Sequence, residues 1–117
     1  MLDRSEDRMG KALLMVRAEL ADSVDRQAFD RWYEAEHLPD ALRTLGAERA
    51  WRCWAEADPS AHYAFSEFAD MHAVKAALAA DGMRRLIGDF DRAWGTRVRR
   101  TRDILQLVQS VAAQDAR

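Results

Sequence analysis

A tyrosine, a histidine and a proline stand close together in the stretch WYEAEHLPD, which runs from Trp32 to Asp40. Tyr33 and His37 are four residues apart, so a helix would present both side chains on one face. An imidazole can accept or donate a proton near neutral pH, and a phenol can hydrogen-bond an oxygen of a bound molecule. We therefore predict that His37 is a general acid or base and that Tyr33 orients it or polarises the substrate.

The same residues also have purely structural explanations. A histidine at a helix C-terminus interacts favourably with the last carbonyls and with the helix dipole. Tyr33 could be an ordinary core tyrosine of an amphipathic helix, and Trp32 is better explained by packing than by function. Glu36 could pair with Arg43, and the sequence favours a solvated position for it.

Three charged residues interrupt strands that are otherwise apolar. Arg17 lies in the first predicted strand and Asp103 in the last, each in phase with apolar neighbours. Because isolated charges on an inward face need partners, Arg17 could meet Asp103, bind an anionic substrate or form a salt bridge at the rim. Glu67 alternates with Tyr63 and Phe65, so it could face the pocket as an acid/base partner of the histidine, or lie at an exposed strand end.

Large aromatic side chains could wall a pocket for a flat hydrophobic ligand, or they could fill the core and an interface between subunits. These side chains are Trp51, Trp54, Phe65, Phe90 and Trp94. The residues that we predict to contact the ligand are Arg17, Trp51, Tyr63, Phe65, Glu67 and Asp103.

The sequence gives no reason to expect a metal ion or another cofactor. His37, His62 and His72 are far apart and lack the spacing of metal ligands. His62 follows a turn signal and is expected to be exposed, as is His72 at the start of a helix. The single cysteine, Cys53, is expected to be a buried structural thiol.

Length and composition favour one globular domain. The chain has 117 residues, of which 49% are hydrophobic and 32% charged, and its net charge is −2. We expect neither nucleic acid nor a membrane as partner, because this charge gives no long-range attraction and no apolar run approaches the roughly 20 residues that span a bilayer. One cysteine allows no internal disulfide, and the charged N-terminus lacks the apolar core of a signal peptide, so we expect a cytoplasmic protein.

The predicted strands lie at 11–20, 47–57, 61–69 and 96–109. The second and third alternate in polarity around a Pro-containing turn, which is typical of a hairpin. Together with the helices they form one domain at 11–109, between a polar N-terminal tail at 1–10 and a C-terminal tail at 110–117.

Two helical regions connect these strands. The first should begin at Asp22 or Ser23 and break before Pro39, where a second short helix begins that Gly46 can close. The other region comprises a helix capped by Asp70 and an amphipathic helix up to Trp94.

The resulting order, β-α-β-β-α-β, is the ferredoxin-like arrangement, an α+β fold with one antiparallel sheet and helices on one face. The strands nevertheless carry large apolar side chains on both faces, as Trp51 and Trp54 illustrate. The face without helices therefore needs a cover, and a second copy of the chain is the simplest one. We expect a homodimer.

The topology, the two-faced sheet and the pattern Tyr33-x-x-x-His37-x-Pro39 together resemble the dimeric α/β-barrel superfamily, and within it the EthD-like group. The resemblance covers residues 11–109 and implies a small-molecule pocket between sheet and helices in each protomer. The superfamily includes cofactor-free monooxygenases, polyketide cyclases, lactone isomerases, dehydratases and haem-degrading enzymes. Glu36-His37-Leu38-Pro39 stands where some EthD-like proteins have a His-Gly-Pro form, so the resemblance implies no particular reaction.

These inferences combine into one functional prediction. We expect a small-molecule enzyme whose acid/base chemistry needs no cofactor, of cyclase, isomerase, dehydratase or lyase type, with a hydrophobic or aromatic substrate. The alternatives are a non-catalytic ligand-binding or accessory protein of a catabolic gene cluster, and a haem-binding protein or cofactor-free monooxygenase of the same fold. The pocket should lie between the sheet and the helix face of Phe29, Tyr33 and His37.

Overall fold

A computed structural model describes residues 10–115, so most of the predicted N-terminal tail and the last two residues lie outside the described part. One antiparallel sheet has the spatial order β2-β3-β1-β4. This order confirms the predicted ferredoxin-like α+β fold. The strands are β1 (Ala12–Leu20), β2 (Arg49–Trp54), β3 (Ala61–Phe68) and β4 (Val98–Gln106).

The connection from β1 to β2 is helical over residues 23–45. Asp22 caps a 3-10 turn by accepting a hydrogen bond from the Val24 backbone N–H, as its predicted capping role requires. The helix then continues to Gly46, whose left-handed backbone (φ 71°) ends it as predicted. The segments are the 3-10 turn Ser23–Asp25, helix α1 (Arg26–Trp32), a π-helical turn (Tyr33–His37) and helix α2 (Leu38–Leu45).

The predicted break before Pro39 is wrong. Leu38 has helical dihedrals (φ −66°, ψ −48°), and its backbone N–H bonds the Tyr33 carbonyl five residues back. A proline in a regular α-helix lacks one N–H donor and crowds the carbonyl four residues earlier. The wider π turn inserts one extra residue at this point, so the chain passes Pro39 without leaving the helix.

Two further helices follow the β2–β3 hairpin, which forms as predicted. Asp70 caps α3 (Met71–Ala79) by accepting from the Ala73 N–H at 2.8 Å, which confirms the predicted cap. Helix α4 (Asp81–Trp94) has the predicted amphipathic character. Its buried residues are Met83, Leu86, Phe90 and Trp94.

Residue parity divides the sheet into two faces, because successive side chains of a strand point to opposite sides. The even-numbered residues of each strand face the helices, and Leu14 lies opposite Ser66 and Ile104 in the register. The core between sheet and helices has one cluster around Phe29 and another around Phe68. The odd-numbered residues form a second face, here called the open face, with no helix upon it among residues 10–115.

None of the helices in the described part of the chain has the length and apolar character needed to cross a membrane.

Candidate functional site

A cavity of about 330 Å³ lies between the sheet and helices α2 and α4. Its walls are mostly apolar, and Tyr33 and His37 reach it from the π-helical turn. Phe29, the third residue of the predicted helix face, is fully buried in the core beside the cavity. The apolar lining residues are Leu14, Val16, Leu38, Ala41, Leu45, Ala64, Met83, Leu86 and Ile87.

His37 is held by aromatic contacts on three sides. Its ring stacks on Trp32 at 4.5 Å with 16° between the planes, and it meets the edges of Tyr33 at 5.0 Å and Phe90 at 5.7 Å. Burial lowers the pKa of His37 to about 4, and the positive charge of Arg100 adds to this effect. The imidazole is therefore neutral at pH 7, with one nitrogen able to accept a proton and the other to donate a hydrogen bond.

Tyr33 is 3% exposed and lies between two histidine rings, those of His37 and His62. Burial raises the pKa of its phenol above the usual range, so the hydroxyl keeps its proton. Tyr33 lines the cavity, and no protein group within residues 10–115 forms a hydrogen bond with its hydroxyl. The O–H group is therefore available to donate to an oxygen of a bound molecule.

Sequence reasoning missed two arginines that line the cavity, Arg100 and Arg102. The guanidinium of Arg100 lies 4.0 Å from the centre of the Phe90 ring and donates to Asp91 Oδ1 at 3.0 Å. Burial lowers the pKa of Arg100, although the group stays charged at neutral pH. Both arginines are an even number of residues from the buried Val98, so their side chains point to the same side of β4 as Val98. This two-residue alternation is the sequence signal that could have revealed them.

The six residues predicted to contact the ligand do not line the cavity. All have odd numbers and lie on the open face, where Arg17 is opposite Tyr63 and Trp51 opposite Phe65. The prediction placed Arg17 in the pocket because the residues in phase with it along β1 are apolar. Those residues lie on the open face of β1, away from the helices. Glu67 is buried opposite Leu13 on this same face, so it lies neither in the cavity with His37 nor at an exposed strand end, the two positions that its alternation left open. The six are Arg17, Trp51, Tyr63, Phe65, Glu67 and Asp103.

Of the alternatives left open for Arg17, a partly exposed salt bridge forms and the contact with Asp103 does not. Arg17 donates to the Tyr63 hydroxyl and to Glu19, both at 3.2 Å, and lies 3.8 Å from a carboxylate oxygen of Asp58. Asp103 is opposite Met15 in the register, and its carboxylate accepts from the backbone N–H of the next residue. Arg17 thus belongs to a partly exposed polar cluster on the open face.

Two predictions about solvent exposure are wrong: His62 is buried and Cys53 is exposed. His62 is 0% exposed because it is already inside β3, and its Nε2 lies 3.3 Å from an Arg52 nitrogen. Arg52 in turn donates to Asp30 at 2.7 Å. Cys53, predicted to be buried, is exposed on the open face near the end of the edge strand β2, whereas His72 is exposed as predicted.

No three His, Cys, Asp or Glu side chains in the described part of the chain are grouped so that they could hold a metal ion. The polar groups that line the cavity are an imidazole, a phenol, the hydroxyls of a serine and a threonine, and two guanidinium groups.

Three solved structures share this fold over most of both chains. SnoaB from Streptomyces nogalater, a cofactor-independent oxygenase, is 16% identical in a mutant form, with a TM-score of 0.60 over 86% of this chain and 96% of its own. HapK from Hahella chejuensis is 15% identical, with a TM-score of 0.65 over 87% and 97%. An EthD family protein from Bacillus halodurans is 16% identical, with a TM-score of 0.64 over 83% and 99%.

No family model and no curated protein matches the sequence. At such low identities, structural similarity establishes the fold and leaves the activity open. The chain has a ferredoxin-like α+β fold, which it shares with these three proteins and which the resemblance of its sequence implied.

Proposed function

We propose that this protein is a cofactor-independent enzyme that removes a proton from a mostly apolar, oxygen-bearing small molecule. The observation that carries the proposal is a neutral imidazole next to a phenol whose hydroxyl is free, both lining an otherwise apolar cavity. A ligand that fills such a cavity excludes water from the reacting groups. The exclusion strengthens each electrostatic interaction there.

In the proposed reaction, His37 accepts a proton from an acidic C–H or O–H group of the substrate. The Tyr33 hydroxyl donates a hydrogen bond to the substrate oxygen on which negative charge develops. Burial alone makes His37 a weak base, because it penalises the imidazolium. The anion formed on the substrate pairs with that imidazolium and offsets the penalty at the moment of transfer.

Oxygenation is the second candidate, and the fold shared with SnoaB supports it, because that protein is a cofactor-independent oxygenase. A CH₂ group that has lost a proton can be oxidised by O₂ to a carbonyl. One oxygen atom stays in the product and the other leaves as water, so the substrate supplies all four electrons that reduce O₂ and both hydrogens of the water. An oxygen electrode separates the candidates, because isomerisation, cyclisation and dehydration consume no O₂.

The first test is hydrogen–deuterium exchange, followed by NMR, at the acidic positions of apolar ketones, hydroxyaromatics and lactones. The panel contains charged and uncharged members and begins with 2-tetralone. We expect His37→Ala to slow exchange on the order of 10²- to 10⁴-fold, the usual contribution of a positioned base. Tyr33→Phe should have a smaller effect, because it removes one hydrogen bond and keeps the ring.

The matched control is His72→Ala, which removes an exposed histidine that is not part of the cavity lining. It should exchange at the wild-type rate. Exchange by His37→Ala at the wild-type rate would refute the role of this residue. A wild-type protein that binds panel members and exchanges none of them would favour a ligand-binding protein without catalysis.

A further inference from the structure

The cavity lining has an unbalanced charge. It contains two arginines and no aspartate or glutamate, and the pKa of His37 leaves its imidazole neutral at pH 7. The lining residues therefore carry two formal positive charges in a chain whose net charge is −2. An apolar cavity that serves only uncharged molecules has no need for such an excess.

The protein leaves most of the donors of these two arginines unused. Arg100 has one carboxylate partner, Asp91, and the side chain of that aspartate is 64% exposed. Arg102 lies two residues further along the same strand face, and its side chain has no ion pair or hydrogen bond with any residue of the described chain. A guanidinium offers five N–H donors, so the pair can bind another anion without losing an existing contact.

We infer that the cavity takes a substrate that already carries a carboxylate on an apolar body. The carboxylate would lie between Arg100 and Arg102, and the body would extend along Leu14, Val16 and Leu86. A planar carboxylate matches the fork of a guanidinium and can be held by two parallel hydrogen bonds. This inference rests on the proposed function, because it assumes that this cavity is the site of the reaction.

A bound carboxylate would also act on the neighbouring base. The positive charge of Arg100 is one of the causes that lower the pKa of His37. An anion that neutralises this charge raises the pKa of His37 and makes the imidazole a stronger base. A carboxylated substrate would thus raise the pKa of the base that deprotonates it, whereas an uncharged analogue of the same shape would not.

Calorimetric binding of 2-naphthoate and of its uncharged isostere 2-acetylnaphthalene tests the inference. We expect 2-naphthoate to bind at least about tenfold more tightly, since a charge-assisted hydrogen bond contributes roughly that factor or more. Arg100→Met and Arg102→Met should each weaken 2-naphthoate binding by about tenfold and change ketone binding by less than about threefold. NMR titration should give His37 a higher pKa with 2-naphthoate bound than with the ketone.

The matched control is Arg99→Met, on the same strand but on the open face. It should bind both probes as the wild type does. If Arg100→Met does not fold, Arg102→Met carries the test, because Arg102 is exposed and its loss leaves no buried gap.

Several results would overturn the inference. They are equal affinity for the acid and the ketone, an equal loss in the Arg99→Met control, tighter binding of 2-naphthyl phosphate than of 2-naphthoate, and binding of neither probe at millimolar concentration. The proposed function is judged separately by the exchange assay, because binding of these probes does not depend on catalysis.

Discussion

At the scale of single residues, burial keeps two histidines neutral, and only one of them lines the cavity. His62 contacts the rings of Phe29, Tyr33 and Trp54 at 4.5–5.2 Å between centres. The guanidinium of Arg52 can only donate, so His62 Nε2 accepts and Nδ1 carries the proton. Nδ1 is buried without a hydrogen-bond partner among the described residues. His62 is therefore enclosed in the core, whereas His37 lines the cavity, where it can contact a bound molecule.

The buried histidines make stability depend on pH. Burial lowers the pKa of His62 to about 4, against 6.5 for an ordinary histidine, so the unfolded chain binds more protons between these values. The resulting stabilisation is complete above about pH 6.5 and is lost as the pH falls to about 4; for His62 it is on the order of 3 kcal/mol. We expect His62→Phe to lose less unfolding free energy than the wild type between pH 7 and pH 4.5 in urea titrations.

His72→Phe provides the comparison, because it replaces an exposed histidine in the first turn of α3. Its pH dependence should match that of the wild type. If His62→Phe also loses as much stability as the wild type over this range, the buried His62 is not a source of the acid sensitivity.

The sequence located part of the site and misplaced the rest for one physical reason. The four-residue spacing of Tyr33 and His37 correctly predicted a shared helix face, and both residues line the cavity. In the strands, parity separates the two faces, but it cannot tell which face meets the helices when both are apolar. A shift of one position moves a whole set of side chains to the other face. This ambiguity explains two errors. The six predicted ligand contacts were assigned to the wrong face of the sheet, and Arg100, on the face that lines the cavity, was missed.

At the scale of elements, ion pairs and hydrogen bonds attach helix α2 to helix α4 at the wall of the cavity. No residue of α2 is fully buried. Arg85 on α4 donates to both carboxylate oxygens of Asp40 at 3.0 Å and to the Thr44 hydroxyl at 2.7 Å. The helices approach so closely here that a Cβ at Gly82 would lie 2.6 Å from a Thr44 methyl carbon. We call the contacts of Arg85 with Asp40 and Thr44 the α2–α4 contact. Since α2 forms one wall of the cavity, the α2–α4 contact determines how firmly that wall is attached to the rest of the domain.

We expect Arg85→Met to loosen α2 without unfolding the protein. The ion pairs are half-exposed, so their loss should cost no more than about 1 kcal/mol of global stability. Local opening of α2 should become more frequent, and the backbone amides of Leu38–Leu45 should exchange with deuterium several-fold faster by mass spectrometry or NMR. Arg84→Met is the matched control, because Arg84 also lies on α4 and pairs with Asp81 of the same helix. Equal amide exchange of α2 in the two variants would show that the α2–α4 contact does not limit the opening of α2.

The elements themselves were largely predictable, because their signals are local. Capping by Asp22 and Asp70 and termination at Gly46 depend on residues within a few positions of each helix end. The π turn was not predictable in this way. Pro39 disfavours a regular helix, and the sequence does not reveal that an extra residue in the preceding turn resolves the conflict.

At the scale of the whole molecule, the open face of the sheet has no helix packed on it within residues 10–115. Met15, Trp51 and Phe65 lie on it, partly exposed, and the Trp51 and Phe65 rings stack at 5.5 Å. Polar residues border this apolar centre, among them Arg17 with its contacts to Tyr63. An apolar centre with a polar rim is the usual organisation of a protein–protein interface. We propose that a second copy of the chain packs on this face, which would place the two cavities on the outer sides of the dimer.

The homodimer is tested by light scattering on the purified protein at micromolar concentration. We expect the mass of two chains, because a stable interface of this kind buries roughly 1,200 Å² or more in total. Phe65→Asp should give a folded monomer, since it would put an unpaired charge into the centre of the interface on strand β3. The matched control is Val24→Asp, which changes an apolar side chain that is 77% exposed in the turn before α1, away from the open face. This variant should remain dimeric. A wild-type monomer, or a Phe65→Asp dimer, would show that another surface or no surface joins the chains, and the open face would then need a different explanation.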